Sequence, residues 1–148
     1  MDEKILFWFS GLEKSIETMD PQQRETFFCE CGKNCVQQGT LDFYRQLYDS
    51  AAGDLDAFFQ KVNEVPGLRA EILAPGGQYA FCFAECTCML HTQGYMNTPH
   101  LCECSRQSVL FVLQTLWPGK EFSVELTASI LRGDDRCRLE IRAQDRKV

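Results

Sequence analysis

The spacing of apolar residues changes period at Pro66-Gly67, and this limits the fold more than any other feature of the chain. Upstream, apolar side chains recur every three or four positions, as one face of a helix requires. Ile5, Leu6, Trp8, Phe9, Leu12 and Ile16 predict a helix over about 4–18. Asp20-Pro21-Gln22-Gln23 reads as the start of a second helix. Asp20 can cap it, Pro21 suits the first helical position, and Gln23 can close a capping box. This helix runs through Phe27, Phe28, Cys31 and Cys35 and stops near Gly39. A third is expected over about 41–50 and a fourth over about 54–64.

Downstream the period falls to two. Arg69–Ala74 and Gln78–Phe83 flank Pro75-Gly76-Gly77 as a hairpin. A loop-rich segment follows to Cys104. Ser105 is then expected to cap a helix with Val109, Leu110, Leu113, Leu116 and Trp117 on one face, stopped by Pro118-Gly119. In the last hairpin, Phe122, Val124, Leu126, Ala128 and Ile130 alternate with polar residues, as do Cys137, Leu139 and Ile141. A two-residue turn at Gly133-Asp134 would pair Ile130 with Cys137, Ala128 with Leu139 and Leu126 with Ile141, and set Glu125 opposite Arg142. The expected architecture is a single α+β domain over 1–148. N-terminal helices (1–65) precede an antiparallel sheet with one inserted helix and a C-terminal β-hairpin (69–143), and the helices cover one face.

The net charge of −6 argues against nucleic acid, whose phosphates call for a basic face. No apolar run reaches the ~18–20 residues of a membrane span. Met1-Asp2-Glu3-Lys4 lacks the basic segment of an export signal, so a cytoplasmic location is expected.

Nine cysteines are the compositional extreme. An odd count without an export signal argues against a disulfide framework and for metal-binding or redox-active thiols. They fall as Cys29, Cys31 and Cys35, then Cys82, Cys86 and Cys88, then Cys102 and Cys104, then Cys137. Cys86-Thr87-Cys88 and Cys102-Glu103-Cys104 are two Cys-x-Cys pairs with thirteen residues between them. In an extended segment, side chains two apart share a face. Two such limbs could supply four thiolates to a tetrahedral zinc, with metal–sulfur distances of ~2.3 Å and sulfurs ~3.8 Å apart. Cys86, Cys88, Cys102 and Cys104 are therefore the expected ligands of about one zinc. An iron–sulfur cluster is the other metal reading.

His91 and His100 extend the two limbs in near-mirror spacing, so either could replace a thiolate. Cys31 and Cys35, one helical turn apart, form a reserve pair, with a plain core stripe as the alternative. Cys29 lies about 200° round the helix from Cys31 and cannot join them. Cys82 and Cys137 read as core. Glu85 and Glu103 could act as bases beside a metal-bound water, but read first as solvated loop residues. Buried free thiols serving only as small apolar groups are the alternative for the whole set.

The run from Cys102-Glu103-Cys104-Ser105 through Trp117-Pro118-Gly119-Lys120 to Gly133-Asp134-Asp135-Arg136-Cys137-Arg138-Leu139-Glu140-Ile141 resembles the end of 4-vinyl-reductase-type small-ligand-binding domains. It also resembles the related L-2-amino-thiazoline-4-carboxylic acid hydrolase-like proteins. The shared elements are a cysteine before the penultimate helix and a Gly-Asp-x-x-Cys hairpin, over about residues 69–143. The resemblance implies helices on an antiparallel sheet, a pocket between them, and cysteines proposed to bind zinc. Gly133, Asp134 and Cys137 match directly, and Cys102 or Cys104 fills the earlier position. The additional clusters at Cys29–Cys35 and Cys86–Cys88 depart from the commoner pattern and look like those of a cysteine-rich bacterial relative.

The expected function is a metal-binding domain that binds or senses a small apolar or cysteine-derived ligand. A hydrolase acting on a cysteine-derived heterocycle and a thiol redox switch are the alternatives. No catalytic residue is assigned, enzymatic activity is left open, and a homodimer is one possible state.

Overall fold

The computed structural model describes residues 2–147. Four helices come first: α1 (Glu3–Thr18), α2 (Pro21–Gln37), α3 (Thr40–Ser50) and α4 (Leu55–Val62). The capping box at α2 is complete, with Gln23 N–H donating to Asp20 Oδ1 and Asp20 N–H donating back to Gln23 Oε1, at 2.8 and 2.9 Å. Asp54 caps α4 by accepting from Ala57 N–H at 2.9 Å. β1 (Leu68–Ala74) and β2 (Gln78–Phe83) follow, then a short helix α5 (Met89–Thr92), a 3₁₀ turn (Pro99–Leu101), α6 (Cys102–Leu116), β3 (Lys120–Ala128), a second 3₁₀ turn (Ile130–Arg132) and β4 (Cys137–Asp145). The four strands form one antiparallel sheet in the order β1-β2-β4-β3. This is the expected α+β architecture.

One face of the sheet carries the main core. Tyr79, Phe81, Phe122, Val124, Leu139 and Ile141 pack against Phe58, Phe59 and Val62 of α4 and Val112, Leu113 and Leu116 of α6. Phe59 stacks on Tyr79 with ring centroids 4.3 Å apart. On the opposite face, residues two apart give rows of charge. Cys82 lies between Arg69 and Arg138, and Ala80 between Glu71 and Glu140. Cys82 is buried as expected, but on this polar face, turned away from Phe81 and Phe83.

A second apolar cluster (Ile16, Phe28, Met96, Leu101) joins α1 and α2 to the segment between β2 and α6. That segment is therefore held by its own side chains. Met96 and Thr98 are fully buried, and the Tyr95 and Met96 N–H groups both donate to Leu90 O.

Two local expectations are corrected. The helix start is at Thr98-Pro99, where Thr98 Oγ1 accepts from His100 N–H at 3.3 Å, and the 3₁₀ turn leads directly into α6. Ser105 lies inside α6 and caps nothing. The last hairpin is offset by two residues: Leu126 faces Leu139, Val124 faces Ile141, Glu125 faces Glu140 and Ser123 faces Arg142. The Glu125–Arg142 pairing does not form. A shift of two keeps the same residues on the apolar face, so alternation alone cannot detect it. The connection is also longer than two residues, because Ile130–Arg132 coil into the 3₁₀ turn. Gly133 keeps its positive φ of 99°, but as the residue that closes this turn.

Candidate thiol site

Four thiols from three parts of the chain line one cleft of about 40 Å³: Cys86 and Cys88 after β2, Cys102 at the start of α6, and Cys137 at the start of β4. Phe83, Leu101, Leu126, Leu131 and Leu139 form its apolar wall, and Glu85 and Ser105 also border it. The fold brings these elements together because β2 and β4 are neighbours, so Phe83 and Cys137 face one another in register. α6 then packs along β3, which closes the third side.

The cleft is ordered by hydrogen bonds around Ser129. Cys102 Sγ lies 3.1 Å from Ser129 Oγ, and Ser129 Oγ accepts from Leu131 N–H at 3.2 Å. Ser129 N–H donates to Asp134 Oδ2 at 2.8 Å. Cys137 Sγ accepts from Ile130 N–H at 3.5 Å.

The Cys86 and Cys102 thiols are raised above their ordinary range. Burial pushes the Cys102 thiol up against the Ser129 hydrogen bond, and thiolates at Cys137 and Cys86 would push it further. Burial likewise raises Cys86, opposed by the Cys88 N–H that donates to it and reinforced by Cys88 and Cys137. Cys102 is thus within electrostatic reach of Cys86 and Cys137, and neither Cys86 nor Cys102 ionises cheaply without a nearby cation.

The expected limb at 102–104 is divided by the fold. It is the first turn of a helix, where residues two apart point about 200° from each other. Cys102 turns toward Ser129, while Cys104 turns toward α2 and packs with the second apolar cluster. There, burial raises the Cys104 thiol to about 12, helped by Cys35, Cys88 and Cys31. The premise that Cys102 and Cys104 share a face in an extended segment is corrected on this ground. In place of Cys104, Cys137 lines the cleft with Cys86, Cys88 and Cys102. Its position after Gly133-Asp134 was the signal for it in the sequence, and Ser129 carried none.

Neither histidine lines the cleft. His91 Nδ1 lies 3.1 Å from Asn97 Oδ1. His100 is lowered by burial and by Arg24 and Arg132, against Glu17. Glu103 is engaged elsewhere. Arg106 Nη2 and Nε donate to its carboxylate at 2.6 and 2.9 Å, and Gln107 Nε2 at 3.0 Å. Burial alone would raise its carboxyl, but these bonds and the Arg106 charge outweigh that and lower it. Arg106 Nη1 also reaches Val124 O at 3.0 Å, so Glu103 and Arg106 tie α6 to β3.

Among the described residues, no three His, Cys, Asp or Glu side chains are disposed to hold a metal ion as they stand. Coordination would require the thiols to turn toward a common point and release their protons. Among the described residues, no helix is long and apolar enough to cross a membrane.

No protein-family model matches the chain, and no curated protein matches it. Solved structures of similar shape include an H-NOX protein from Shewanella oneidensis in the Fe(II)NO ligation state, at 16% identity and a TM-score of 0.48 over 93% of this chain and 72% of that one. The Shewanella oneidensis SO2144 H-NOX domain in the Fe(II)CO state aligns at 18% identity and a TM-score of 0.47, over 94% of this chain and 75% of that one. A trafficking protein particle complex subunit 3 from Naegleria fowleri, covalently bound to palmitic acid, aligns at 13% identity and a TM-score of 0.48 over 98% and 97% of the two chains.

Proposed function

We propose that the chain is a cytoplasmic, thiol-based zinc-binding domain of the metal-sensing kind, with Cys86, Cys88, Cys102 and Cys137 as the ligand set. The observation that carries this reading is the convergence of those four thiols on one cleft. Its volume of about 40 Å³ matches one small ion or water. Pockets for organic ligands run to ~300–1,000 Å³. A cysteine-derived heterocycle has no such room beside these sulfurs, and the raised thiols are poor nucleophiles. A zinc ion inverts that electrostatics: sulfurs that repel one another as thiolates are each attracted to a shared cation. The donor chemistry fits, since four thiolates are a structural zinc set with no open position for a substrate. The resemblance of the Gly133–Ile141 hairpin to 4-vinyl-reductase-type domains agrees with a role for Cys137.

The test is metal analysis of reduced protein purified without oxygen, beside Cys86→Ser/Cys137→Ser. Loss of one zinc equivalent in the double variant is expected. An unchanged metal content would overturn the ligand set, and a metal-free wild type would overturn the reading. Reversible loss of two thiols on mild oxidation of a metal-free protein would instead mark a redox switch.

A further inference from the structure

The cysteines of α2 are left unexplained by the cleft. They stand where α2 and α6 cross at backbone contact. A Cβ on Gly32 would meet Cys104 O and Ser108 N at 2.9 Å and Gln107 Cβ at 2.8 Å. Ser108 Oγ also donates to Gly32 O at 3.0 Å. Only the lack of a side chain at Gly32 permits this approach. Cys31 precedes Gly32, and Cys35 follows one turn after Cys31 on the same face. The crossing therefore brings the turns of α2 that carry Cys31 and Cys35 against the turn of α6 that carries Cys104. Cys88 packs against the same apolar cluster as Cys104 and also lines the first cleft.

We infer that Cys31, Cys35 and Cys104, with Cys88 as a shared fourth ligand, form a second site for a soft thiophilic cation beside the first. This rests on the proposed zinc reading and extends it to a pair of neighbouring ions. The electrostatics agree: Cys35 is raised by burial and by Cys88, and Cys104 by burial and then by Cys35, Cys88 and Cys31. Thiolates select zinc, cadmium and monovalent copper over harder cations. Cys31 Sγ now lies 3.8 Å from Phe27 O and must swing away to bind, releasing its proton as the metal enters. Cys31 and Cys35 are exposed, whereas Cys102 is buried, so the second ion exchanges faster than the first.

The test is titration of reduced full-length protein with zinc and with cadmium. Two equivalents per chain are expected, falling to one in Cys31→Ser/Cys35→Ser and to one in Cys102→Ser/Cys137→Ser. Thermal unfolding followed by circular dichroism controls for misfolding, which is not expected at the exposed α2 positions. Cadmium NMR should show two resonances coupled through a common sulfur, and their coupling should vanish in Cys88→Ser. A wild type that binds one equivalent, unchanged in Cys31→Ser/Cys35→Ser, would overturn the second site and leave the first. A wild type that binds one equivalent, lost in Cys31→Ser/Cys35→Ser but kept in Cys102→Ser/Cys137→Ser, would uphold the second site and remove the first. No binding would overturn both, and two uncoupled resonances would overturn the sharing of Cys88.

Discussion

Cys102 Sγ and Ser129 Oγ, both in buried residues, stand 3.1 Å apart and join the first turn of α6 to the end of β3. Ser129 is fully buried and also serves Leu131 N–H and Asp134 Oδ2. Ser129→Ala leaves the partly buried Leu131 N–H without its hydroxyl partner. A loss of about 0.5–1.5 kcal/mol is expected for the lost hydrogen bond. Urea unfolding of the two proteins at neutral pH measures it. Unchanged midpoints would show that the hydroxyl is not the organiser of this corner.

Gly32 and Gly11 offer opposite outcomes for the same substitution. Gly11 is on α1 with nothing within 4 Å of a built Cβ. Gly11→Ala should stabilise by about 0.5–1 kcal/mol through helix propensity alone. Gly32→Ala gains the same propensity but drives a methyl into the α6 backbone at 2.9 Å. Overpacking of this kind costs about 1–3 kcal/mol, so the net change should be destabilising. Thermal melts of both variants decide it, and a stabilised Gly32→Ala would mean the helices separate more easily than their contact suggests.

Gly133 tests the last hairpin. At φ 99° it lies in the left-handed region, which a β-branched residue tolerates poorly. Gly133→Val should cost about 1–3 kcal/mol. Exchanges at the exposed Asp135 should stay within about ±0.5 kcal/mol. Equal denaturation midpoints for Gly133→Val and wild type would contradict the turn closed by Gly133.

Asp56 gives a signed pH dependence. Tyr79 Oη donates to Asp56 Oδ1 at 2.6 Å and Gly76 N–H donates at 2.9 Å, and these bonds hold the carboxyl below its usual range. A lowered folded-state pKa contributes stability above the ordinary aspartate value of about 3.9. That contribution disappears as pH falls through the folded value. Tyr79→Phe should flatten this acid limb. Unfolding midpoints taken at intervals from about pH 2 to 5 should therefore converge for the two proteins as acid is added. A parallel offset at every pH would assign the effect to packing alone.

Chelation should loosen the protein locally. The stretch around Met96 and Leu101 has its own apolar cluster, so it does not need a metal to remain ordered. Faster hydrogen exchange after metal removal is expected at Cys86–Cys88 and the first turn of α6, with β3 and β4 protected throughout. Loosening that reaches Met96 would show that the ion supports more of the fold than the cleft.

The sequence by itself determined the elements and the class. Helix and strand periods, the Asp20–Gln23 box and the alternation of Phe122–Ala128 depend on neighbours within one segment, and the structure reproduces each of them. What only tertiary structure decided were relations between segments. Pairing Leu126 with Leu139 rather than with Ile141 keeps the same residues in the core, so no local pattern distinguishes the two registers. Whether Cys102 and Cys104 share a face depends on whether that stretch is extended or helical. The Thr98-Pro99 start settles it as helix and sends the two thiols to opposite sides of α6. Cys137 joins Cys86, Cys88 and Cys102 because β2 and β4 are neighbours in the sheet, a pairing between residues more than fifty positions apart that spacing along the chain does not encode.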